Sequence, residues 1–218
     1  MNPITCHDDD VWIFGCGAHG DVVAETLFEM GVGVSGRIDD HHPQALRPEA
    51  VLAQTSSHDR NVVVAIGSPP VRARVTERLL AMGFLLAPPI VHPSSYVAPS
   101  VTLGPGTVIL PQAFVHTHAS IGTGVLINAC AAVHHDAIIG DFTTISPHAH
   151  VCGRCVVGKG SLLAVRSCLV FPHRMGDNAI LAANSVAHKD IGDGELWRGD
   201  PAAPRRTVDE ALWRKCFP

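Results

Sequence analysis

The sequence predicts a small parallel α/β domain followed by a β-solenoid. From Val91 to Val186, an aliphatic residue or Met recurs at every sixth position, and a small residue or Val follows it four positions later in every hexad except that of His173. This period fits neither a helix nor an alternating strand, but it fits a triangular coil with one hexad on each side. Upstream of residue 88, short apolar runs alternate with helical patterns, as in a parallel α/β sheet.

The spacing of five glycines gives the number of residues in one coil. Gly104, Gly122, Gly140, Gly158 and Gly176 are spaced by eighteen residues, which is three hexads. The same corner therefore recurs in about five coils, and residues eighteen apart lie side by side, roughly 4.8 Å from each other. We expect these glycines to supply an unusual backbone conformation at that corner.

The rest of the chain divides into strands, helices and turns. We predict strands over 11–14, 34–38, 61–66 and 84–87, helices over 21–30 and 70–82, and a loop with one helix over 41–60. Pro88-Pro89 marks a boundary, so the predicted domains are residues 1–88 and 89–218. After the repeat ends, we predict a turn over 196–201 and a short helix over 208–215.

Composition excludes several classes of function. The 218 residues carry a formal net charge of −4, which leaves no basic footprint for nucleic acid, and no apolar run is long enough to cross a bilayer. The odd number of cysteines, seven, favours a reducing cytoplasm. Cys152 and Cys155 form a CxxC pattern, but Cys155 occupies the inward position of its hexad, so we predict core packing rather than a metal site.

A glycine loop follows the first predicted strand. Gly15, Gly17 and Gly20 form a GxGxxG pattern, and Asp39 lies about twenty residues further on, as in a dinucleotide fingerprint. The α/β region is, however, the size of one mononucleotide-binding half. The sequence therefore favours a mononucleotide or nucleotide-sugar over NAD and over a tight turn that binds no ligand.

Histidines are concentrated in the solenoid. His135 is followed directly by Asp136, which is the usual arrangement for a general base with an orienting carboxylate. His116 and His134 are eighteen apart and are predicted to be neighbours in adjacent coils. With His118, they could instead bind zinc across a subunit boundary.

The chain resembles the bacterial left-handed β-helix acetyltransferases that N-acetylate a nucleotide-linked amino sugar or O-acetylate sialic acid. The resemblance spans about residues 11–205. It lies in the hexapeptide repeat and in three motifs: Gly15-Cys16-Gly17-Ala18-His19-Gly20, Ile38-Asp39-Asp40 and Ala65-Ile66-Gly67. It implies an α/β N-terminal Rossmann-like half domain followed by a left-handed parallel β-helix, with acetyl-CoA as co-substrate and no metal.

The resemblance also implies roles for particular residues. His135 takes the place of the catalytic base and Asp136 orients it, while Gly153 offers its N–H to the acetyl-CoA thioester. Acetyl-CoA contacts are expected from Thr144, Gly153, Val165 and Ala183. The nucleotide-sugar is expected to contact Gly17, His19, Gly20, Asp39, Asp40 and Gly67.

The expected reaction is direct acetyl transfer to the amine of a sugar such as a UDP- or GDP-linked 4-amino-4,6-dideoxy sugar. Relatives implied by the resemblance are homotrimers with acetyl-CoA held between adjacent solenoids. The outward residues Leu126, Ala132 and Ile138 are predicted to be exposed on a monomer, which favours the same assembly. Three alternatives stay open: O-acetylation of sialic acid or a related sugar, a zinc enzyme of the γ-carbonic-anhydrase type, and a non-enzymatic module that binds a nucleotide-sugar or has a regulatory role.

Overall fold

The computed structural model describes residues 10–56 and 60–217. Its N-terminal part is a four-stranded parallel sheet in the order β2-β1-β3-β4, with helices on both faces. The elements are β1 (Val11–Phe14), α1 (Ala18–Glu29), β2 (Val34–Ile38), α2 (Pro48–Leu52), β3 (Asn61–Val64), α3 (Pro69–Ala81) and β4 (Leu85–Leu86). The four predicted strands are confirmed, and each of the two long helices begins one to three residues earlier than predicted.

The strand order places a crevice between β1 and β3. The chain leaves β1 through α1 toward β2 on one side, and it then crosses to β3 on the other side of β1. The loops after β1 and β3 therefore diverge at the carboxyl ends of the strands. Such a switch point is where ligands bind in open α/β sheets.

The solenoid has three flat faces of short parallel strands, five or six to a face. Face 1 contains β5 (Ile90–Val91), β8 (Val108–Ile109), β11 (Leu126–Ile127), β14 (Thr144–Ile145), β17 (Leu162–Leu163) and β20 (Ile180–Leu181). Face 2 contains β6 (Tyr96–Val97), β9 (Phe114–Val115), β12 (Ala132–Val133), β15 (His150–Val151), β18 (Cys168–Leu169) and β21 (Val186–Ala187). Face 3 contains β7 (Thr102–Leu103), β10 (Ser120–Ile121), β13 (Ile138–Ile139), β16 (Val156–Val157) and β19 (Arg174–Met175).

The predicted register is confirmed. Val115 pairs with Val133, and Val133 pairs with Val151, so residues eighteen apart are neighbours in adjacent coils. These three side chains point inward and are fully buried. The predicted architecture, an α/β half domain followed by a parallel β-helix, is confirmed.

The predicted reason for the spaced corner glycines, an unusual backbone conformation, was wrong. The left-handed backbone falls three positions after most inward residues, as at Gly124 (φ 60°) and Asp136 (φ 57°), and the five spaced glycines do not adopt it. They are needed because the next coil passes very close. A β-carbon on Gly140, for example, would lie 2.5 Å from the backbone nitrogen of Lys159.

Face 1 is covered by the rest of the same chain. Helix α1 and one side of the α/β sheet pack on its first coils, where Leu126 is 3% exposed. The prediction that Leu126 and Ala132 are exposed was wrong, because the cover on face 1 buries Leu126 and because Ala132, on face 2, is only 8% exposed, whereas Ile138 is 50% exposed. A flat apolar face needs a cover, and here a domain of the same chain provides it.

The C-terminal segment covers the last coils of face 1. The predicted turn over 196–201 is instead a hairpin of β22 (Glu195–Gly199) and β23 (Ala202–Thr207), and β22 continues face 1 by pairing with β20. Helix α4 (Glu210–Cys216) follows, and its Trp213 packs on Leu162 and Ile180. No helix in the described ranges is long and apolar enough to cross a membrane.

Candidate active site

His135 and Asp136 lie at the corner where the chain passes from face 2 to face 3. Nδ1 of His135 is 2.8 Å from a carboxylate oxygen of Asp136. This hydrogen bond is the main cause that lowers the pKa of Asp136, so the carboxylate is ionised at neutral pH. An ionised carboxylate only accepts, so Nδ1 donates to it, and in the neutral tautomer this leaves the lone pair on Nε2. This is the arrangement that a general base requires.

Gly153 lies beside His135 in the next coil, as predicted from the spacing. The three atoms nearest to a β-carbon on Gly153 would all belong to the His135 ring, with Nε2 at 2.6 Å. The basic nitrogen is therefore directly over the backbone of Gly153. Arg154 and His118 complete this corner, with side-chain nitrogens 3.9 and 3.7 Å from the Asp136 carboxylate.

Aromatic rings line face 2 next to this corner. The ring of His116 meets the His135 ring edge-on with centroids 6.1 Å apart, and His134 stacks on His150 at 6.2 Å. Burial, together with the neighbouring histidines, lowers the pKa of His134. In the ranges that the structure describes, no group of three or more His, Cys, Asp or Glu is arranged to hold a metal ion.

The two cysteines of the CxxC pattern lie in the solenoid. Cys155 is fully buried, and burial raises its pKa to about 11. The sulfur of Cys152 is 3.9 Å from that of Cys168 in the next coil, and both are free thiols. Cys155 therefore packs in the core, as the hexad position predicted.

The three glycines of the N-terminal loop have different physical roles. Gly15 has a φ of 117°, which favours glycine, and Gly20 packs so closely on Gly15 and Arg37 that it has no room for a side chain. Gly17 precedes α1 in an extended conformation, and nothing lies within 4 Å of the place where its β-carbon would be. The space at Gly17 is thus left open by the protein itself.

Two adjacent acids follow β2 but make different contacts. Asp39 accepts backbone N–H groups from Cys16, His41 and His42. Burial acts to raise the pKa of Asp39, but these three hydrogen bonds outweigh it and the pKa is lowered. Asp39 therefore fixes the glycine loop to the loop after β2, while Asp40 forms an ion pair of 2.8 Å with Arg78.

A pocket of about 430 Å³ lies at the crevice between these loops. Its apolar walls come from β1, the loop after β3 and α3, and its polar rim comes from the loop after β2 and from α3. The lining residues are Phe14, Asp39, Asp40, His41, Ile66, Val71, Arg74, Val75 and Arg78.

Arg72 joins the two parts of the chain, and the sequence analysis did not identify it. Its guanidinium is buried and donates to the carbonyl oxygens of Ile66 and Gly67 on one side and of Gly124 and Phe142 on the other, at 2.7–2.9 Å. Burial lowers its pKa to about 9, so it stays charged at neutral pH. An arginine in the first turn of a helix gives no sequence signal for such a role.

His19 lies near this buried charge. Burial, and secondly the positive charge of Arg72, lower the pKa of His19 to about 4. Its imidazole is therefore neutral at physiological pH. A neutral ring can donate one hydrogen bond and accept another at the end of the glycine loop.

Thr144 and Gly67 lie at the junction between the domains. The hydroxyl of Thr144 is 2.9 Å from the Arg72 guanidinium and 3.2 Å from the carbonyl oxygen of Gly67, and the residue is 3% exposed. Gly67 also lies against the ring of Phe217 at the end of the chain. The expected contact of Thr144 with acetyl-CoA does not fit this placement, because its hydroxyl is committed to the junction.

Val165 and Ala183 are side by side at the corner between faces 1 and 2. The N–H of Asn184 donates to the carbonyl oxygen of Val165, and both Val165 and Ala183 are exposed. Face 2 separates them from His135. The structure therefore brings together His135, Asp136 and Gly153, and it places Val165 and Ala183 at a second corner of the same solenoid.

Comparisons with known proteins agree with this architecture. Residues 10–79 match the family described as the PglD N-terminal domain. No curated protein matches the chain. PerB from Caulobacter crescentus, solved with CoA and GDP-perosamine, is 27% identical, with a TM-score of 0.83 over 93% of this chain and 100% of PerB.

A second solved structure covers the same extent. The acetyltransferase domain of PglB from Neisseria gonorrhoeae, solved with acetyl coenzyme A, is 29% identical, with a TM-score of 0.84 over 91% of this chain and 100% of that domain. WeeI from Acinetobacter baumannii, at 20% identity and a TM-score of 0.84 over 90% of this chain and 99% of WeeI, shows the shared fold.

The paired histidine and aspartate on a hexapeptide-repeat solenoid, behind a glycine-loop domain, define an acyltransferase. Within that class, the chain is similar over more than nine-tenths of its length to the sugar acetyltransferases of the left-handed β-helix type.

Proposed function

We propose that this chain transfers the acetyl group of acetyl-CoA to the amino group of a nucleotide-linked amino sugar. Residues 1–88 hold the nucleotide part of the substrate, and residues 89–218 carry the transfer chemistry. The observation that carries the proposal is the His135–Asp136 pair, 2.8 Å apart, with Nε2 held over Gly153. The use of acetyl-CoA and the free thiols of the described cysteines both favour the cytoplasm.

In the proposed reaction, one proton moves from the sugar amine to His135 and then to the sulfur of CoA. The sugar amine attacks the thioester carbonyl carbon, and Nε2 of His135 accepts the proton that the amine loses as the C–N bond forms. Asp136 stabilises the resulting imidazolium. As the C–S bond breaks, the proton passes to the departing CoA sulfur. The N–H of Gly153 is the proposed donor to the thioester oxygen, where negative charge develops.

The open glycine loop is the proposed site of the substrate phosphates. Gly17 leaves space at the N-terminus of α1, where backbone N–H groups and the helix dipole favour anions. His19 and Gly20 lie on the same turn, and Gly67 faces it from the loop after β3. Asp39 supports the loop from behind, and Asp40 lies in the pocket where the base belongs.

We propose a homotrimer with shared active sites. Ile138, Tyr96 and Phe171 are about half exposed on or beside faces 2 and 3, which leaves an apolar surface for a second copy. Val165 and Ala183 lie one face away from His135, so acetyl-CoA in a groove between two solenoids reaches His135 from one subunit and these residues from its neighbour. Light scattering is expected to give about three times the 23.1 kDa chain mass.

A mixing experiment tests whether the site is shared. His135→Ala and Ala183→Trp are expected to be inactive separately. Mixed trimers restore activity at interfaces that receive both intact halves, about a quarter of the total if subunits combine at random. Failure of the mixture to recover activity, with mixed trimers shown by mass spectrometry, would contradict the shared site.

The reaction is tested by a substrate screen with the full chain. Acetyl-CoA is supplied with UDP-, GDP- and dTDP-linked 4-amino sugars, and with sialic acid as a hydroxyl acceptor. Release of CoA thiol and a mass gain of one acetyl group on a nucleotide-linked amino sugar are expected. Acetylation of sialic acid alone would overturn the choice of acceptor, and no acetyl transfer to any sugar would overturn the proposal.

A further inference from the structure

One column of side chains runs past the Asp136 carboxylate at the corner that contains His135. His118, Asp136 and Arg154 are eighteen apart in the sequence, and all three have a left-handed backbone with φ between 57° and 60°. Adjacent coils are roughly 4.8 Å apart, so equal backbone conformations bring the three side chains into one column. Asp136 therefore lies between a histidine from the coil before and an arginine from the coil after.

The two neighbours of Asp136 in this column face different oxygens. Nδ1 of His118 is 3.7 Å from Oδ1, whereas Nε of Arg154 is 3.9 Å from Oδ2. Oδ2 is also the oxygen that lies 2.8 Å from Nδ1 of His135 and accepts its proton. Arg154 thus acts on the oxygen that orients the base, and its guanidinium is always charged.

Arg154 is itself held by contacts on both sides. Its backbone N–H donates to the carbonyl oxygen of His135, at 2.9 Å. Its guanidinium lies over the ring of Phe171 in the next coil, with Cζ 5.8 Å from the ring centroid, where the ring face attracts a cation. The long side chain is therefore partly ordered by contacts other than the one with Asp136, which lowers the entropy cost of the ion pair.

We propose that Arg154 is a positioning residue for the His135–Asp136 pair. The proposal rests on the proposed function, since it concerns the base of that reaction. Arg154 holds the Asp136 carboxylate against Nδ1 of His135, so that Nε2 keeps its direction over Gly153. Its positive charge also opposes a second positive charge on the imidazole. The imidazole thus stays neutral, and able to accept the amine proton, to a lower pH than it would beside the carboxylate alone.

The other titratable groups near the pair do not act on the same oxygen. They are His116 and His118 in the coil before, His134 in the same coil and Cys152 in the coil after. Burial is the main cause that lowers the pKa of His134, so this ring adds no charge at neutral pH. The lowered pKa of Asp136 comes first from its hydrogen bond with His135, with Arg154 and His118 as further causes. In the described part of the chain, Arg154 is the permanently charged partner of Asp136.

The pH dependence of kcat/KM tests this role, with acetyl-CoA and the nucleotide-linked amino sugar that the substrate screen identifies. In Arg154→Gln, the acid side of the profile is expected to move to a pH about 0.5 higher, because the opposing charge is gone. On the plateau, kcat is expected to fall roughly 2- to 5-fold, because the carboxylate loses one contact. Arg154→Lys keeps the charge and is expected to keep the acid side in place. A lower rate with an unmoved profile in Arg154→Gln would show a merely structural role and overturn the proposal.

Two further variants show whether the effect acts through Asp136. In an Asp136→Asn background, Arg154→Gln is expected to change kcat little further, because the carboxylate is already lost. A full additional loss would mean that Arg154 acts on something else. The matched control is Arg214→Gln, which removes the cation of an exposed ion pair with Glu210 on α4. The control is expected to keep the natural profile, and an equal shift there would count against the proposal.

A titration of the free chain separates this proposal from the proposed function. Histidine ring signals followed by NMR against pH need no substrate, and those of His135 are identified by their absence in His135→Ala. We expect the midpoint of the His135 titration to lie about 0.5 pH higher in Arg154→Gln than in the natural chain. Equal midpoints would overturn the proposal even in a chain that acetylates amino sugars. A moved midpoint in a chain that acetylates no sugar would support the contact and overturn the proposed function alone.

Discussion

The ring of His135 lies over the backbone of Gly153, so that a β-carbon on Gly153 would be 2.6 Å from Nε2. The two residues are eighteen apart and belong to adjacent coils of the solenoid. The ring therefore keeps its position only because the next coil carries no side chain there. Backbone strain plays no part, since Gly153 does not adopt the left-handed conformation.

Gly153→Ala is expected to reduce kcat without unfolding the chain. The three atoms nearest to the added methyl group all belong to the movable His135 ring, so the ring shifts and the fold stays. A displacement of about 1 Å in a catalytic group costs on the order of 10²-fold in rate. Steady-state kinetics with thermal unfolding measures both effects.

A double variant shows whether the effect acts through the ring. In a His135→Ala background, Gly153→Ala is expected to lower kcat little further, because no ring is left to displace. Additive losses in the double variant would show that the methyl group harms something other than His135.

His135→Ala is expected to lower kcat by roughly 10²-fold or more, because the proton acceptor is removed. Asp136→Asn is expected to cost less, since it removes only orientation and stabilisation of the imidazolium. His150→Ala, an exposed histidine on face 2, serves as the control. Near-normal turnover by the His135 variant with an unchanged fold would rule out the general-base role.

Gly17 and Gly20 are expected to respond differently to substitution. Gly17→Val places its side chain in open space, so stability changes by about 1 kcal/mol or less, while the KM for the nucleotide-sugar rises and acetyl-CoA binding is spared. Gly20→Ala has no room against Gly15 and Arg37, so it is expected to lower the free energy of unfolding. A Gly17 variant with an unchanged KM would remove the loop from the substrate site.

The stability of the chain is expected to fall in acid because of His19. The folded-state pKa of His19 is about 4, whereas its ordinary value is 6.5. Between these values the unfolded chain binds a proton that the folded chain does not. The free energy of unfolding therefore decreases as the pH falls from about 6.5 to 4, by about 3 kcal/mol in total.

His19→Gln removes this contribution. Urea unfolding at pH 7 and pH 4.5 is expected to show that the variant loses less stability than the natural chain, whereas the exposed-site control His150→Gln follows the natural chain. Parallel losses in the His19 variant and the natural chain would contradict a buried neutral ring.

Arg72→Met is expected to lower the free energy of unfolding by about 3 kcal/mol or more, because it leaves several buried carbonyl oxygens without donors. Arg74→Met is the matched control on the same helix, exposed to solvent, and a change within about 0.5 kcal/mol is expected. Similar results for the two variants would show that Arg72 does not hold the domains together.

The corner that contains His135 could be predicted because the solenoid converts spacing into distance. The eighteen-residue period placed Gly153 beside His135 before any coordinates were considered, and the inward position of Cys155 predicted its burial. The reason for the spaced glycines could not be predicted in this way. Their requirement comes from the backbone of the next coil, which a pattern within one coil does not contain.

The sequence pattern did not predict the contacts between separate parts of the chain. Leu126 precedes an inward residue and therefore points to the outside of its strand, but α1 and the α/β sheet cover it. The resemblance places Thr144 at an acetyl-CoA contact, yet its hydroxyl accepts a hydrogen bond from Arg72 of the other domain. A local period carries no information on which surface will dock on which.

The sequence by itself determined the solenoid, the half-sized α/β domain and the His135–Asp136 pair, because each depends on the order of neighbouring residues and on a strict period. The tertiary structure decided which face of the solenoid is covered, which of the two acids after β2 holds the glycine loop and which pairs with Arg78, and how the buried charge of Arg72 joins the domains. These outcomes depend on packing between segments that are distant in sequence, where shape and hydrogen-bond satisfaction outweigh local preference.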